Sequence, residues 1–343
     1  MSRLRKRGED IRHYILENVE KYPQEITQRT AKKFNISRQA VNKHIQLLVG
    51  QQVLQLSGTT RNRRYDLAPT EENDFQYKLK NNLQEDVVWR NDIHPLFVGF
   101  PDNVMDIWNY SFNEMFNNAI DHSAGNLIYV QVKKTAITTQ IYIYDDGEGI
   151  FKKIQRELGL LDESHAVLEL SKGKLTTDPQ KHTGEGIFFT SRMLDDYVIL
   201  SGKTFFSHEY KEDVDWILER KKFQSGTSVF MTLKNNTSRT VKKVFDKYSS
   251  IDDIGFTKTI IPVRLAQYGD ELLVSRSQAK RLLARLDRFK TVIFDFEGVA
   301  SIGQAFADEI FRVFPLHNKE VRIEHSNANK NVERMILHAI LNI

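Results

Sequence analysis

The apolar residues of this chain change their spacing twice, and that change limits the fold more than any single motif does. Up to about residue 50 they recur at helical intervals. From about 102 to 233 one long helical run is followed by alternating, strand-like runs, and beyond 251 strand and helix patterns alternate regularly. Three patterns within 343 residues imply several domains, because one core seldom organises so long a chain. The composition, 40% hydrophobic and 27% charged with a mean hydropathy of -0.46, is that of soluble globular proteins. No apolar run approaches the roughly 20 residues that cross a bilayer. The basic start MSRLRKRGEDIRHY lacks the apolar stretch of a secretory signal. The absence of cysteine excludes disulfides, thiolate zinc sites and a cysteine nucleophile. A cytoplasmic protein with no membrane partner is expected.

Charge is unevenly placed. Residues 1–70 hold 14 lysines and arginines against 6 acidic residues, a net of +8, while the remainder is mildly acidic. Such a head calls for a polyanion partner. Ile11, Ile15, Leu16 and Val19 mark a first helix, and Thr27 precedes a second, QRTAKKF, closed by Asn35. Ser37 is the expected N-cap of a third, RQAVNKHIQLLVG, ended by Gly50, with Val41, Ile45, Leu47 and Leu48 inward. Two short strands follow, joined at Ser57-Gly58. Three helices and a hairpin in this order resemble a winged helix-turn-helix over residues 1–70, which implies DNA as a partner. Arg38, Gln39, Asn42 and Lys43 would face base edges, and Arg61, Arg63 and Arg64 on the wing would meet phosphates. Arg3, Arg5, Lys6 and Arg7 would form a flexible arm. Pro69 and TEEND mark a boundary, followed by polar helical sequence from Asp74.

The middle segment carries the chemistry. Glu114 and Asn118 lie four apart on a helix starting at Pro101-Asp102, so both leave one face. A carboxylate beside a carboxamide can hold a water and an octahedral Mg2+, although the pair alone also fits a solvated face. Asp145 ends a strand and opens D-x-G-x-G with Gly147 and Gly149. Its carboxylate can accept from the exocyclic amine of adenine while the glycines let backbone approach a flat base. Gly184-Glu185-Gly186 opens a helix whose N–H groups suit phosphates. Thr227, after Gly226, can support the base-binding carboxylate.

NEMFNNAIDH (113–122), DDGEG (145–149), HTGEGI (182–187) and GT (226–227) resemble, in order and spacing, the boxes of the GHKL ATPases, the superfamily of gyrase, histidine kinases and anti-sigma-factor serine kinases. The resemblance implies a Bergerat α/β sandwich over 71–240 that binds ATP and Mg2+. Asn118 would ligate the metal, and Glu114 would be the catalytic residue that positions or deprotonates the nucleophile. Asp145 would bind the adenine amine, Gly147 and Gly149 would line the base, and Gly184 and Gly186 would cradle phosphate. The polar stretch 151–183, read as a loop with one helical piece, would be the ATP lid. It would offer Lys172, Lys174, Lys181, His182 and Thr183 to the nucleotide. No phosphoacceptor histidine with the customary flank precedes the segment, so the anti-sigma serine-kinase branch fits best.

The last segment, 251–343, reads βαβαβα and implies an open sheet with covering helices. VIFDFEGVASIGQAFADEIF (292–311) resembles the core of STAS domains, the anti-sigma-factor antagonists, but Ala305 stands where their acceptor serine falls. The segment is closer to STAS-like domains of unknown function found after GHKL modules. Asp308 and Glu309 are expected as solvated or interface charges. The fold class is therefore multidomain α+β: winged helix-turn-helix, Bergerat sandwich and STAS-like α/β domain. The expected function is an ATP-switched, DNA-binding transcriptional regulator, a homo-oligomer with weak ATPase activity. Two alternatives stand beside it: an anti-sigma-type serine/threonine kinase acting on a STAS-type partner, and an ATP-dependent assembly component of a bacterial defence or stress system.

Overall fold

The computed structural model describes residues 3–59, 62–79, 83–175, 184–210, 214–249, 255–267 and 271–341. Among these residues the chain is a mixed α/β protein whose strands form three sheets. It divides into two compact units. One is Met1–Phe75 with Val130–Ile141 and Thr232–Thr237; the other is Gln76–Tyr129 with Tyr142–Met231 and Ser238–Ile343.

The first unit is built on α1 (Arg3–Asn18), α2 (Ile26–Phe34) and α3 (Arg38–Gly50), followed by β1 (Leu54–Ser57) and β2 (Arg64–Leu67), which pair antiparallel. Ile11, Ile15, Ile26, Val41, Ile45, Leu48 and Tyr65 are among the residues of its core. Val41, Ile45 and Leu48 follow the helical spacing of one buried stripe, and Leu47 falls off it, so Leu47 is exposed rather than inward. Asn35 ends α2 in the left-handed conformation at φ 49°. After α3 the left-handed residue is Gln52, not Gly50. The basic N-terminus is no free arm: α1 already begins at Arg3, and Arg7 donates to the Phe34 carbonyl at 3.0 Å.

In the second sheet the strand order is β3-β4-β5-β7-β6, with β3 (Glu71–Lys78), β4 (Leu127–Lys134), β5 (Thr138–Asp145), β6 (Asp196–Glu209) and β7 (Val214–Lys234). The polar stretch TEEND is thus largely strand, and no helix begins at Asp74. Glu71, Asn73, Phe75 and Tyr77 alternate with exposed neighbours. The Tyr77 ring meets Phe116 edge-on, and its hydroxyl donates to Asp92 at 2.9 Å. A short helix, α4 (Glu85–Val88), and a π turn at Trp89–Ile93 lead to α5 (Asp102–His122). The inner face of α5 buries Val104, Trp108, Phe112 and Phe116, with Trp89 and Phe97 against it.

The stretch read as a loop with one helical piece holds two helices, α6 (Ile150–Leu158) and α7 (Glu163–Lys172). Residues 166–172 of α7 are buried without a break. Next come α8 (Gly186–Met193) and α9 (Val241–Lys247). The remainder forms a parallel sheet of order β10-β9-β8, with β8 (Lys258–Pro262), β9 (Thr291–Asp295) and β10 (Arg322–Ser326). Its helices are α10 (Arg276–Leu283), α11 (Gln304–Asp308) continued through a π turn into α12 (Phe314–His317), and α13 (Lys330–Leu341). Asp308 and Glu309 are buried, not solvated, because their helix packs inward; Asp308 pairs with Arg312 at 3.3 Å. No helix among the described residues is long and apolar enough to cross a membrane.

Ser37 caps the start of α3, its hydroxyl accepting the Ala40 N–H at 3.1 Å. Ser37→Ala should lower stability by about 1 kcal/mol and Ser37→Asp should largely restore it. Chemical denaturation of the three proteins checks this, and equal midpoints would refute the capping role.

Candidate functional site

A narrow cleft lies between α5 and the sheet. Its walls are mostly apolar: Met115 and Ala119 from α5, Ile143 from β5, Ile199 from β6, Val229 from β7, and Ile150 and Ile187 from the first turns of α6 and α8. Asn118, His122, Ser123, Asp145 and Thr227 bring polar atoms to this lining. The helix supplies its members at 115, 118, 119 and 122, and each strand supplies alternate residues, 143 with 145 and 227 with 229. This is how an amphipathic helix over a pleated sheet must line a shared space. The apolar members went unnoticed in the sequence because isoleucine and valine at such spacing are equally core residues.

Asp145 is 5% exposed. One carboxylate oxygen accepts the Gly147 N–H at 3.0 Å. Thr227, whose hydroxyl oxygen accepts the Ile150 N–H at 3.0 Å, also bonds the Asp145 carboxylate. Burial pushes the Asp145 carboxyl up to about 6, the Gly147 and Thr227 bonds opposing it. The adjacent Asp146 does a different job. Its carboxylate accepts the Asn126 and Leu127 N–H groups at 2.6 and 2.9 Å, which hold it below the usual carboxylate range and fix the turn.

Close approach to backbone requires glycine at Gly147, where a side chain would collide with the Ser123 carbonyl, and at Gly226. Gly226 has φ 69°, and a side chain there would collide with the Asp145 carbonyl. Any side chain at Gly186 would strike the Glu114 carboxylate, so the start of α8 rests against the Glu114 side chain. Glu114 lies one turn before Asn118 on α5 and is half-buried outside the cleft lining. Gly149 immediately precedes α6. The Gly184 carbonyl accepts the Leu175 N–H at 3.0 Å. Beyond the cleft, Arg192 of α8 makes paired bonds to the buried Asp215 at 3.0 and 2.7 Å, and His208 Nδ1 stands 2.9 Å from the same carboxylate. Burial alone would raise the Asp215 carboxyl, but Arg192 and His208 bring it down to about 2.

The lysines expected at a phosphate chain are placed elsewhere. Lys172 is 2% exposed, and its ammonium donates to Glu169 at 2.6 Å and to the Arg281 and Ala284 carbonyls at 2.9 and 3.0 Å. All three of its protons are used, which removes it from the nucleotide candidates. Lys174 donates to the Arg288 carbonyl at 3.1 Å and lies 5.0 Å over the Phe289 ring, and it is absent from the cleft lining. Lys181, His182 and Thr183 lie outside the described residues.

In the first unit Arg38, Gln39 and Lys43 are exposed on α3 and Asn42 is half-buried beside them. Arg63 is exposed, Arg64 is held by Asp66 at 2.8 Å, and Arg61 lies outside the described residues. His44 is packed against α1, where burial and then Arg12 lower its pKa.

Residues 278–333 match the family described as STAS-like domain of unknown function (DUF4325). A STAS-like domain is thereby identified at residues 278–333. It spans α10, β9, α11, α12 and β10 and reaches the first turn of α13. No curated protein matches the chain.

Asp145 yields a pH test. Its folded-state pKa lies above the ordinary 3.8, so its favourable contribution is complete below about pH 4 and is lost as pH rises through about 6. Asp145→Asn should therefore stabilise the protein relative to wild type at pH 7.5, compared with pH 4, by about 2–3 kcal/mol. Urea unfolding at both pH values measures the difference, and a pH-independent gap between the two proteins would contradict the burial argument.

Proposed function

We propose that the cleft binds ATP with Mg2+ in the manner of a GHKL module, and that the protein is a DNA-binding regulator switched by the nucleotide. The observation that carries this reading is Asp145, a buried carboxylate held by neutral donors at the polar end of an otherwise apolar cleft. A flat apolar ring bearing an exocyclic amine satisfies both properties of that space, and adenine is such a ring. The Thr227 hydroxyl and the Gly147 N–H fix the carboxylate in one orientation, so the amine meets a preorganised acceptor.

The donor set on α5 fits the metal. Asn118 and Glu114 offer oxygen ligands to a hard cation. No group of three or more His, Asp or Glu side chains that could hold a metal stands together among the described residues. Bound Mg2+ would neutralise phosphate charge; Asn118 would hold it, and Glu114 would orient a water or accept its proton. The N–H groups at the start of α8 carry partial positive charge toward the phosphates.

The exposed Arg38, Gln39 and Lys43 on α3, within a segment of net charge +8, support the DNA part of the reading. Arg63 adds a phosphate contact, whereas Arg64 is committed to Asp66. The STAS-like segment is where a partner protein or a second copy would be engaged.

Titration calorimetry with ATP and Mg2+ should give saturable binding. Asp145→Ala should weaken it at least tenfold, and Asn118→Ala should abolish its dependence on Mg2+. Absence of heat from the wild-type protein at millimolar ATP would defeat the nucleotide reading. On a mixed-sequence duplex, replacing Arg38, Gln39 and Lys43 together with alanine should reduce affinity more than tenfold at low salt and flatten its salt dependence. Unchanged fluorescence anisotropy would remove DNA as the partner.

A further inference from the structure

A set of polar contacts centred on the buried Lys172 lies away from the cleft, where α7 and the segment after it meet the C-terminal segment. Lys172 ends α7 with its ammonium on Glu169 Oε1 at 2.6 Å and on the carbonyls of Arg281 and Ala284 at 2.9 and 3.0 Å. The Arg281 carbonyl lies in the last turn of α10 and Ala284 is its C-cap, where a helix presents unpaired acceptors and the negative end of its dipole. Thr259 of β8 donates its hydroxyl to the Lys172 carbonyl at 2.7 Å. Two residues on, Lys174 and Arg288 bond reciprocally: Lys174 Nζ donates to the Arg288 carbonyl at 3.1 Å, and Arg288 Nη1 donates to the Lys174 carbonyl at 2.8 Å.

The other side of the same contact reaches α8. Phe256, just before β8, packs against Phe188 and Phe189 of α8 with ring centroids 4.6 and 4.9 Å apart, and against Phe289 at 5.2 Å. Ile187, the residue before Phe188, lines the cleft, and α7 packs on both α6 and α8. The C-terminal segment therefore contacts both α7 and α8, and α8 contributes Ile187 directly to the cleft wall.

A buried ammonium with three acceptors accepts only one arrangement of its neighbours. An apolar side chain would tolerate sliding, but whenever α7 and α10 separate the buried Lys172 ammonium loses two of its three acceptors, the Arg281 and Ala284 carbonyls, and keeps only Glu169 of its own helix. This is the property of a coupling element with discrete states.

We propose that the STAS-like domain is the regulatory partner of the nucleotide cleft, coupled to it through the contacts of Lys172 with α10 and of Arg288 with Lys174. The proposal rests on the nucleotide reading of the cleft. Coupling is reciprocal: if these contacts hold α7 and α8 in the arrangement that binds nucleotide, nucleotide must in turn tighten α10 against α7. Whatever the STAS-like domain engages would then read the occupancy of the cleft.

The test uses the full chain, with calorimetry for affinity and hydrogen exchange for the response of α10. In wild type, ATP with Mg2+ should slow exchange at amides of residues 279–284 as well as around the cleft. Lys172→Met and Arg288→Ala should each weaken ATP at least fivefold and abolish the α10 response while leaving protection around the cleft at saturating ATP. If Lys172→Met does not fold, judged by circular dichroism, the solvent-side Arg288→Ala decides. Wild-type binding with no change at α10, or Arg288→Ala binding within twofold of wild type, would overturn the coupling and leave the cleft reading intact. No ATP binding by wild type would overturn both.

Discussion

A carboxylate removed from water must be satisfied by whatever surrounds it, and much of the middle segment is arranged around that demand at Asp145. The turn after β5 brings the Gly147 N–H back to the carboxylate. Gly226 lets β7 approach the Asp145 carbonyl more closely than any side chain would allow, which sets Thr227 beside it. Thr227 in turn accepts from the first residue of α6. One buried charge thus fixes the β5–β7 contact, the start of α6 and the polar end of the cleft. Because these donors are neutral, the site keeps an unmet preference for a hydrogen-bond donor.

The helix and strand pattern was legible wherever apolar residues carried it. The long helix at 102–122, the strand pairs and the alternating C-terminal segment follow from periodicity alone. Two elements did not. In β3 the sequence EENDFQYK holds only Phe75 and Tyr77 as apolar signal, and its strand character comes from pairing with β4. Helix α7 hides its nature differently: Ala166, Val167, Leu168 and Leu170 are consecutive or nearly so, which marks a helix buried all round and not an amphipathic one.

The residues of the cleft show the same division. That Asn118, Asp145 and Thr227 stand together on one cleft could be read from residue type and order along the chain. The place of Lys172 could not. A lysine in a polar stretch reads as solvated or as a phosphate ligand, and only tertiary structure brings Glu169 and two carbonyls of α10 to within 3.0 Å of its ammonium. Leu47 misled for a simpler reason: one position off the stripe turns an inward residue outward.

The burial of α7 also bears on how such a chain can be taken apart or recombined. The turn at Asn235-Asn236 looks like a seam, yet the helix completed by Lys172 is finished by atoms nearly fifty residues beyond it. A fragment cut there would carry an ammonium, a carboxylate and a bare phenylalanine cluster into solvent. The two halves are therefore a single inheritable piece: a change at Glu169 or Lys172 has to be answered at the end of α10, and neither half can be exchanged for a stranger without rebuilding that joint.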